Sequence, residues 1–264
     1  MLKTEETNHS WLDYPLSSWL KLNWETILFI SILILGVFSR FYDLETRVMS
    51  HDETSHVYFS WRLEQGMGYQ HDPVTHGPLQ FHLVALSYFL FGDSDFTARI
   101  PAALFSVATI GFMWFYRRYL GKIGALIGSV LFLISPYFLY YGRYVRNEAF
   151  VGLFGVMTLW AILRYLDTGI PRYLLLLTIV TSLQFTTKET AFIYTAQALV
   201  FLGLYLVFRV SKNIWPNDAN RNLFLITLII AFIFLGTAGF GFLLTKGNHA
   251  APEVGTAATD NPDQ

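Results

Sequence analysis

The sequence contains no cysteine and few charged residues, and both absences narrow what the protein can be. Without cysteine there is no disulfide, no thiolate nucleophile and no zinc-thiolate site. Only 14% of the 264 residues are charged, against about 25% in soluble domains, while 53% are hydrophobic and the mean hydropathy is +0.41. The net charge of -1 leaves no basic excess for nucleic acid. These values predict an integral membrane protein.

Sequence motifs of soluble catalysts are also missing. The chain has no Gly-rich phosphate loop, no Gly-x-Ser-x-Gly and no His-Glu-x-x-His. Its first 25 residues lack the apolar core and cleavage site of a signal peptide, so the first apolar run is predicted to stay as an anchor.

Seven apolar runs have about the length, 17 to 25 residues, that crosses a bilayer. They cover 24–42, 98–118, 122–142, 148–166, 171–187, 189–209 and 222–244. An eighth run, 79–92, is shorter and contains His82, so it is predicted to lie along the interface or re-enter. The predicted fold is therefore an all-α polytopic membrane protein. It has a cytoplasmic segment 1–23, a transmembrane domain 24–244, and a polar tail 245–264 that is disordered or begins a longer outer loop.

The distribution of Lys and Arg predicts the orientation. If 79–92 does not span, 10 of the 18 basic residues lie on the inner side; if it spans, only 7 do. The first arrangement is favoured and gives a multi-pass protein of the cell membrane with a cytoplasmic N-terminus. Loop 43–97 and the segments YGRYVRNEAF and TTKETAF then emerge together on the outer side.

The first polar cluster opens the outer loop with the sequence SHDETSH. Ser50 and Glu53 fit a capping box, which predicts a helix from His51 with an apolar stripe of Val57, Tyr58 and Trp61. Two roles stay open for Glu53, helix capping and catalysis. Asp52 is not required by the box, and a partly desolvated carboxylate there suits a general base.

Histidines are concentrated in the same loop and the run after it. Five of the seven lie there: His51, His56, His71, His76 and His82. With Asp52, Glu53 and Asp72 they form a candidate site for a divalent metal such as zinc or manganese. Their spacing is not that of a defined metal motif, and the alternative is histidines that bind loop backbone and lipid headgroups.

Two further clusters lie at the boundaries of predicted spans. One contains Arg143, Arg146 and Glu148, and the other contains Lys188 and Glu189. Each admits a structural interpretation, as snorkelling anchors or as mutually neutralising charges. The functional alternative is that the three cations bind phosphate, for which arginine provides a planar set of donors.

One carboxylate and several cations at a lipid interface favour a particular reaction. A sugar carried on a lipid phosphate already has a good leaving group. Transfer then needs a base for the acceptor hydroxyl and positive charge for the departing phosphate. Asp52 and the three cations would supply these two parts without a cofactor, and a single displacement would invert the sugar carbon.

The ordered set of motifs over residues 25–210 resembles the membrane glycosyltransferases of the GT-C fold. That group includes the protein O-mannosyltransferases and the aminoarabinose transferase that modifies lipid A, and within it the chain most resembles the flippase-activity-associated proteins. The resemblance is carried by HDE at 51–53, THGPLQFHL at 75–83, ARIPAALFSVATI, YRRYLG, YGRYVRNEAF at 141–150 and TTKET at 186–190. It implies a GT-C-like helical bundle with amphipathic juxtamembrane helices in the outer loop.

The resemblance also implies a polyprenyl-phosphate-linked sugar as donor, catalysis on the outer face and Asp52 as the base. His51, His56, His76, Tyr58, Glu148 and Glu189 are predicted to support the site. The acceptor, whether protein, lipid or glycan, is not predicted. Two departures stand out: Gly77 replaces the first proline of the family's His-Pro-Pro-Leu element, and the chain is short enough to be a fragment of a longer enzyme.

Two other classes of function are compatible with parts of the sequence. One is an accessory protein of a lipid-linked glycan flippase or assembly complex, without chemistry of its own. The other is a small-molecule transporter, but transporters place charges near the bilayer midplane and contain repeats, whereas these charges lie at span ends and no repeat is found.

Overall fold

The computed structural model describes residues 23–69, 76–213, 215 and 217–247, and across these residues the chain forms helices and no strand. The helices are α1 (Trp24–Phe41), α2 (His51–Glu64), α3 (Leu79–Phe91), α4 (Asp95–Phe112), α5 (Arg117–Ile134), α6 (Pro136–Tyr141), α7 (Glu148–Thr168), α8 (Arg172–Phe185), α9 (Ala191–Lys212) and α10 (Asp218–Gly247). A 3-10 turn, Met113–Tyr116, joins α4 to α5. The all-α prediction is confirmed. The predicted end segments 1–23 and 245–264 fall almost entirely outside the described residues.

Among the described residues, five helical stretches are long and apolar enough to cross a membrane. They are Trp24–Phe41, Asp95–Ile134, Glu148–Thr168, Ala191–Lys212 and Asp218–Phe242. Their apolar side chains are widely exposed on the surface of the protein, which is what a lipid environment requires. The prediction of a polytopic membrane protein is therefore confirmed.

The stretch Asp95–Ile134 is a pair of antiparallel helices. The Ser129 hydroxyl donates to the carbonyl of Ile110 at 3.4 Å, although a straight helix would hold these residues about 28 Å apart. The reversal occurs near Gly121, whose φ of 70° and ψ of 175° are not helical and suit a residue without Cβ. The sequence predicted this division, with separate runs at 98–118 and 122–142.

Two apolar helices are too short to match the bilayer thickness. Helix α3 has 13 residues and α8 has 14, or about 20 Å each, against a hydrocarbon core of about 30 Å. The interfacial or re-entrant position of α3 stays a prediction. Helix α8 is shorter than the predicted span 171–187, since Pro171 caps its start and Thr186 ends it. The number of spans and their orientation stay predictions.

In the first of two compact units, residues 1–198, the helices of loop 43–97 pack against the bundle. Val84, Tyr88, Ala98 and Val145 form a core cluster at this end, and Met49, Val57 and Trp61 pack on it. Val57 and Trp61 of the predicted α2 stripe are thus in contact with the core. Tyr58, the third, is half-exposed. The buried face of α2 is polar and consists of Glu53, His56 and Ser60.

A buried arginine connects α1 to α5 at the end from which loop 43–97 begins. Arg40 is fully buried and donates from Nη2 to the Phe132 carbonyl at 2.9 Å and from Nη1 to the Leu133 carbonyl at 2.9 Å. These carbonyls lie in the last turn of α5, where a cation complements the helix dipole. The contact anchors the point from which residues 42–50 lead to α2.

The second unit, residues 199–264, contains most of α9 and all of α10. Within it Gly203 faces the Phe232 ring, and a Cβ at Gly203 would lie 3.3 Å from that ring. The two helices therefore approach closely at this glycine.

Candidate active site

Four of the predicted site residues form a continuous chain of opposite charges. The Arg146 Nη1 donates to Asp52 Oδ2 at 2.8 Å, and Arg146 Nε lies 3.7 Å from Glu148 Oε2. Lys188 Nζ donates to the other oxygen of Glu148 at 2.7 Å. The structure thus brings together loop 43–97, the segment before α7 and the segment after α8, three segments that the sequence predicted to converge.

The start of α2 positions Asp52. The Ser50 side chain and the Glu53 carboxylate form both halves of the predicted capping box, so the helix begins at His51 as expected. Asp52 occupies the first turn, where the helix dipole favours an anion. Its side chain is 55% exposed, compared with 25% for Arg146 and 17% for Lys188. The carboxylate is therefore open to solvent, so the partial desolvation expected for Asp52 is not found, while the two cations are largely buried.

Glu53 has a different environment, although it is adjacent in sequence. Its carboxylate is fully buried and accepts hydrogen bonds from Arg99 Nε (3.1 Å), Arg99 Nη2 (3.2 Å), Arg47 Nη2 (2.8 Å) and the backbone amides of Val145 (3.1 Å) and Ser50 (3.2 Å). Burial alone would raise the pKa of the Glu53 carboxyl, but the bonds from Arg99 and the two amides outweigh it and lower the pKa. With about four acceptor positions on a carboxylate, all are in use.

Arg99, which the sequence reasoning did not single out, completes this buried network. It donates from Nη1 to the Leu44 carbonyl at 2.7 Å and from Nη2 to the Arg47 carbonyl at 2.9 Å, besides its bonds to Glu53. Arg99 therefore attaches the loop that precedes α2 to helix α4. An arginine inside an apolar run requires a buried partner, and this rule could have identified Arg99 from the sequence.

Arg143 lies apart from the charge chain described above. It donates from Nη1 to the Ser39 carbonyl at 3.0 Å and from Nη2 to the Asp43 carbonyl at 2.9 Å, where α1 ends. With Arg47 it lines a cavity of about 530 Å³ beside Pro136 and Tyr140. Among the predicted phosphate ligands, Arg146 and Lys188 share Glu148, whereas the contacts of Arg143 are with backbone.

The turn that carries His76 packs tightly against the segment that carries Lys188 and Glu189. Gly77 donates to the Thr187 carbonyl at 3.1 Å, and the His76 Nδ1 lies 2.8 Å from Glu189 Oε2. A Cβ at Gly77 would lie 2.1 Å from the Thr186 carbonyl oxygen. Burial would raise the pKa of Glu189, but backbone and His76 hydrogen bonds lower it. The glycine in place of the family's proline is thus explained, because proline has neither the space nor the N–H.

Beneath the charges lie polar side chains that the protein leaves unpaired. The His56 Nδ1 is buried without a hydrogen-bond partner, and so are both amide atoms of Gln80 and of Asn147, within the described part of the chain. Burial, and then the charge of Arg146, lowers the pKa of His56 to about 4. His56 is therefore neutral near pH 7.

The remaining predicted residues take no part in the charge chain. His51 is exposed on the first turn of α2, and the His82 Nδ1 lies 2.8 Å from the Pro78 carbonyl oxygen. Of the candidate metal ligands, His71 and Asp72 lie outside the described residues. Among the residues described, no three His, Asp or Glu side chains are grouped so as to hold a metal ion.

A comparison with protein families shows which family the chain belongs to. Residues 75–238 match the family model described as dolichyl-phosphate-mannose-protein mannosyltransferase. The match covers more than half of the chain and points to a membrane glycosyltransferase of the GT-C type. No curated protein matches.

Proposed function

We propose that this chain, which belongs to the dolichyl-phosphate-mannose-protein mannosyltransferase family, transfers a sugar from a polyprenyl phosphate to an acceptor hydroxyl with inversion. The observation that carries the proposal is the ion pair between Asp52 and Arg146, continued through Glu148 to Lys188. An accessible carboxylate next to one cation, with a second cation held on the same Glu148, is the arrangement that the proposed transfer requires.

In this mechanism Asp52 is the general base. The acceptor O–H gives its proton to Asp52 while the acceptor oxygen attacks the anomeric carbon. The bond between that carbon and the phosphate oxygen breaks, and the lipid phosphate leaves with both bonding electrons. A phosphate is a good leaving group, so no general acid is required.

Arg146 and Lys188 stabilise the charge that grows on the phosphate. Glu148 holds the two cations on one carboxylate, which fixes their separation before the donor arrives. When the donor phosphate attracts Arg146, the Asp52 carboxylate loses its partner and becomes a better acceptor for the proton. Donor binding thereby activates the base.

Glu53 is assigned to positioning. Its carboxylate is saturated by hydrogen bonds and fully buried, so it has no capacity to take a proton from an acceptor. It orients the first turn of α2, and with it Asp52. Arg143 lies near the end of α1, so a donor that reaches this end would bring its phosphate into contact with Arg143.

Catalysis on the outer face of the cell membrane follows from the distribution of basic residues. The mechanism uses no cofactor, since Arg146 and Lys188 supply the positive charge that faces the phosphate, and transfer is expected to persist in EDTA. The narrower likeness to flippase-activity-associated proteins stays a prediction, and the acceptor stays unassigned.

The test is sugar transfer by the purified chain from synthetic polyprenyl-phosphate sugars, comparing native protein with Asp52→Asn. Asparagine keeps the shape and removes the base, and a loss of about a hundredfold or more is expected. Asp93→Asn is the matched control, since Asp93 is exposed at the same end of the molecule. Equal transfer by Asp52→Asn and native protein would remove Asp52 from the mechanism.

A further inference from the structure

A second charged site lies at the opposite end of the helices in the first unit. A cavity of about 430 Å³ is lined by four cations, one carboxylate and three aromatic rings. Its carboxylate, Glu25, is in the first turn of α1, whereas Arg40 in the last turn lies next to the loop that leads to Asp52. Helix α1 has 18 residues, so about 27 Å separate the two ends. This cavity is therefore distinct from the proposed active site.

The cations of the cavity are only partly neutralised. Glu25 is buried and pairs with Lys122 Nζ at 3.0 Å, while its other oxygen lies 3.7 Å from Arg117 Nη1 and accepts no hydrogen bond. Arg118 pairs with Asp167 at 2.9 Å. Among the described residues no carboxylate lies within ion-pair distance of Arg164, which donates to the Tyr173 hydroxyl at 2.9 Å. The walls thus carry an excess of positive charge.

Aromatic rings hold the arginines in place. The Arg117 guanidinium lies 3.4 Å from the centre of the Trp114 ring, and the Arg164 guanidinium lies 5.9 Å from that of Trp160. The Trp160 indole N–H donates to the Phe115 carbonyl at 3.1 Å, which fixes its ring at the cavity. Tryptophan at the ends of membrane helices is typical of the headgroup region, and basic pockets between such helices bind lipid phosphates.

We infer that this cavity binds a phosphate group, carried by an anionic membrane lipid or free in solution, through Arg117 and Arg164. Arginine provides the paired N–H donors that phosphate oxygens accept. Lys122 and Arg118 add charge at the rim, and Trp114 and Trp160 form the apolar walls against which a glycerol backbone packs. The excess positive charge favours an anion over a neutral headgroup.

The experiment is a titration of the purified full chain in neutral detergent, with the midpoint of thermal unfolding as the readout. The probes are short-chain phosphatidylglycerol, phosphatidylcholine of the same chain length, and inorganic phosphate. Phosphatidylglycerol is expected to raise the midpoint at a concentration at least about tenfold below that of phosphatidylcholine, in keeping with two charge-assisted contacts. Competition by inorganic phosphate would show that the free anion also binds, whereas no effect would show that the lipid is the source.

Variants test the assignment of residues. Arg117→Gln/Arg164→Gln is expected to lose the preference for phosphatidylglycerol, and Arg209→Gln/Lys212→Gln, which removes two cations from α9, is expected to keep it. Arg118→Gln changes a side chain that is 61% exposed and pairs only with the half-buried Asp167, so it is expected to fold normally and to weaken the preference several-fold. A native chain without the preference would overturn the inference. So would either cavity variant that retained it in full.

Discussion

Replacing Glu53 by glutamine separates a positioning role from a catalytic one. The carboxylate presents one oxygen to Arg99 Nε and the Val145 amide, and the other to Arg47, Arg99 Nη2 and the Ser50 amide. A glutamine has a single acceptor oxygen. Its NH₂ group must therefore face at least two buried donors in either orientation.

The cost follows from those contacts. Each buried donor left unpaired costs about 1–3 kcal/mol, and removing one partner of a buried ion pair costs about 3–5 kcal/mol in total. Since about 1 kcal/mol corresponds to roughly 2–4 °C for a domain of 150–250 residues, the midpoint of thermal unfolding should fall by roughly 10 °C. Asp52→Asn, at an exposed and singly paired position, should leave the midpoint within about 2 °C of native.

The assay is tryptophan fluorescence on the purified chain, followed by sugar transfer at a temperature where the variant remains folded. Glu45→Gln makes the same change of charge in the same loop at an exposed position and serves as the control. Glu53→Gln is expected to be less stable and to retain measurable transfer while folded. Native stability together with lost transfer would refute the positioning role and place Glu53 in the chemistry.

Three further predictions concern other parts of the site. Arg146→Gln or Lys188→Gln should each lower the rate of transfer by about 10²–10³ at saturating donor, the usual loss for one charge-stabilising group; unchanged rates would exclude both cations. The pKa of His56, about 4 in the fold against 6.5 ordinarily, means that the unfolded chain binds the extra proton. Stability should therefore be complete above about pH 6.5 and fall by about 3 kcal/mol as the pH drops to about 4. His56→Gln should flatten this part of the stability profile, and an unchanged profile would contradict the assignment. Gly77→Ala should lower the unfolding midpoint because its Cβ meets backbone, whereas Gly236→Ala, with nothing within 4 Å, should not; equal midpoints would refute the clash.

Local signals in the sequence predicted the elements well. The apolar runs matched helices because a helix that faces lipid must be apolar along its length. The capping box predicted the start of α2 because its two hydrogen bonds depend only on residues three apart. The division near Gly121 was predicted from a short basic connection between two apolar runs.

Contacts between distant segments could not be derived in this way. Nothing in the spacing indicates that Arg99 rather than Arg143 pairs with Glu53, since the choice depends on how α4 packs against the loop before α2. The convergence of Asp52, Arg146 and Lys188 was predicted only in outline, from the side of the membrane on which each segment emerges. Which cations share Glu148 is a matter of tertiary packing.

The adjacent acids at 52 and 53 show why an acidic pair is ambiguous in a sequence. Neighbouring residues on a helix point about 100° apart, so only one of the two can turn back to the helix start and the buried arginine. The capping geometry selects Glu53 for that direction, because the third helical position is the one whose side chain reaches the cap. Asp52 is left facing solvent and Arg146. The same turn thus gives one acid a structural role and leaves the other accessible, as the proposed role of Asp52 requires, and exchanging the two residues is expected to abolish transfer even though composition and charge are unchanged.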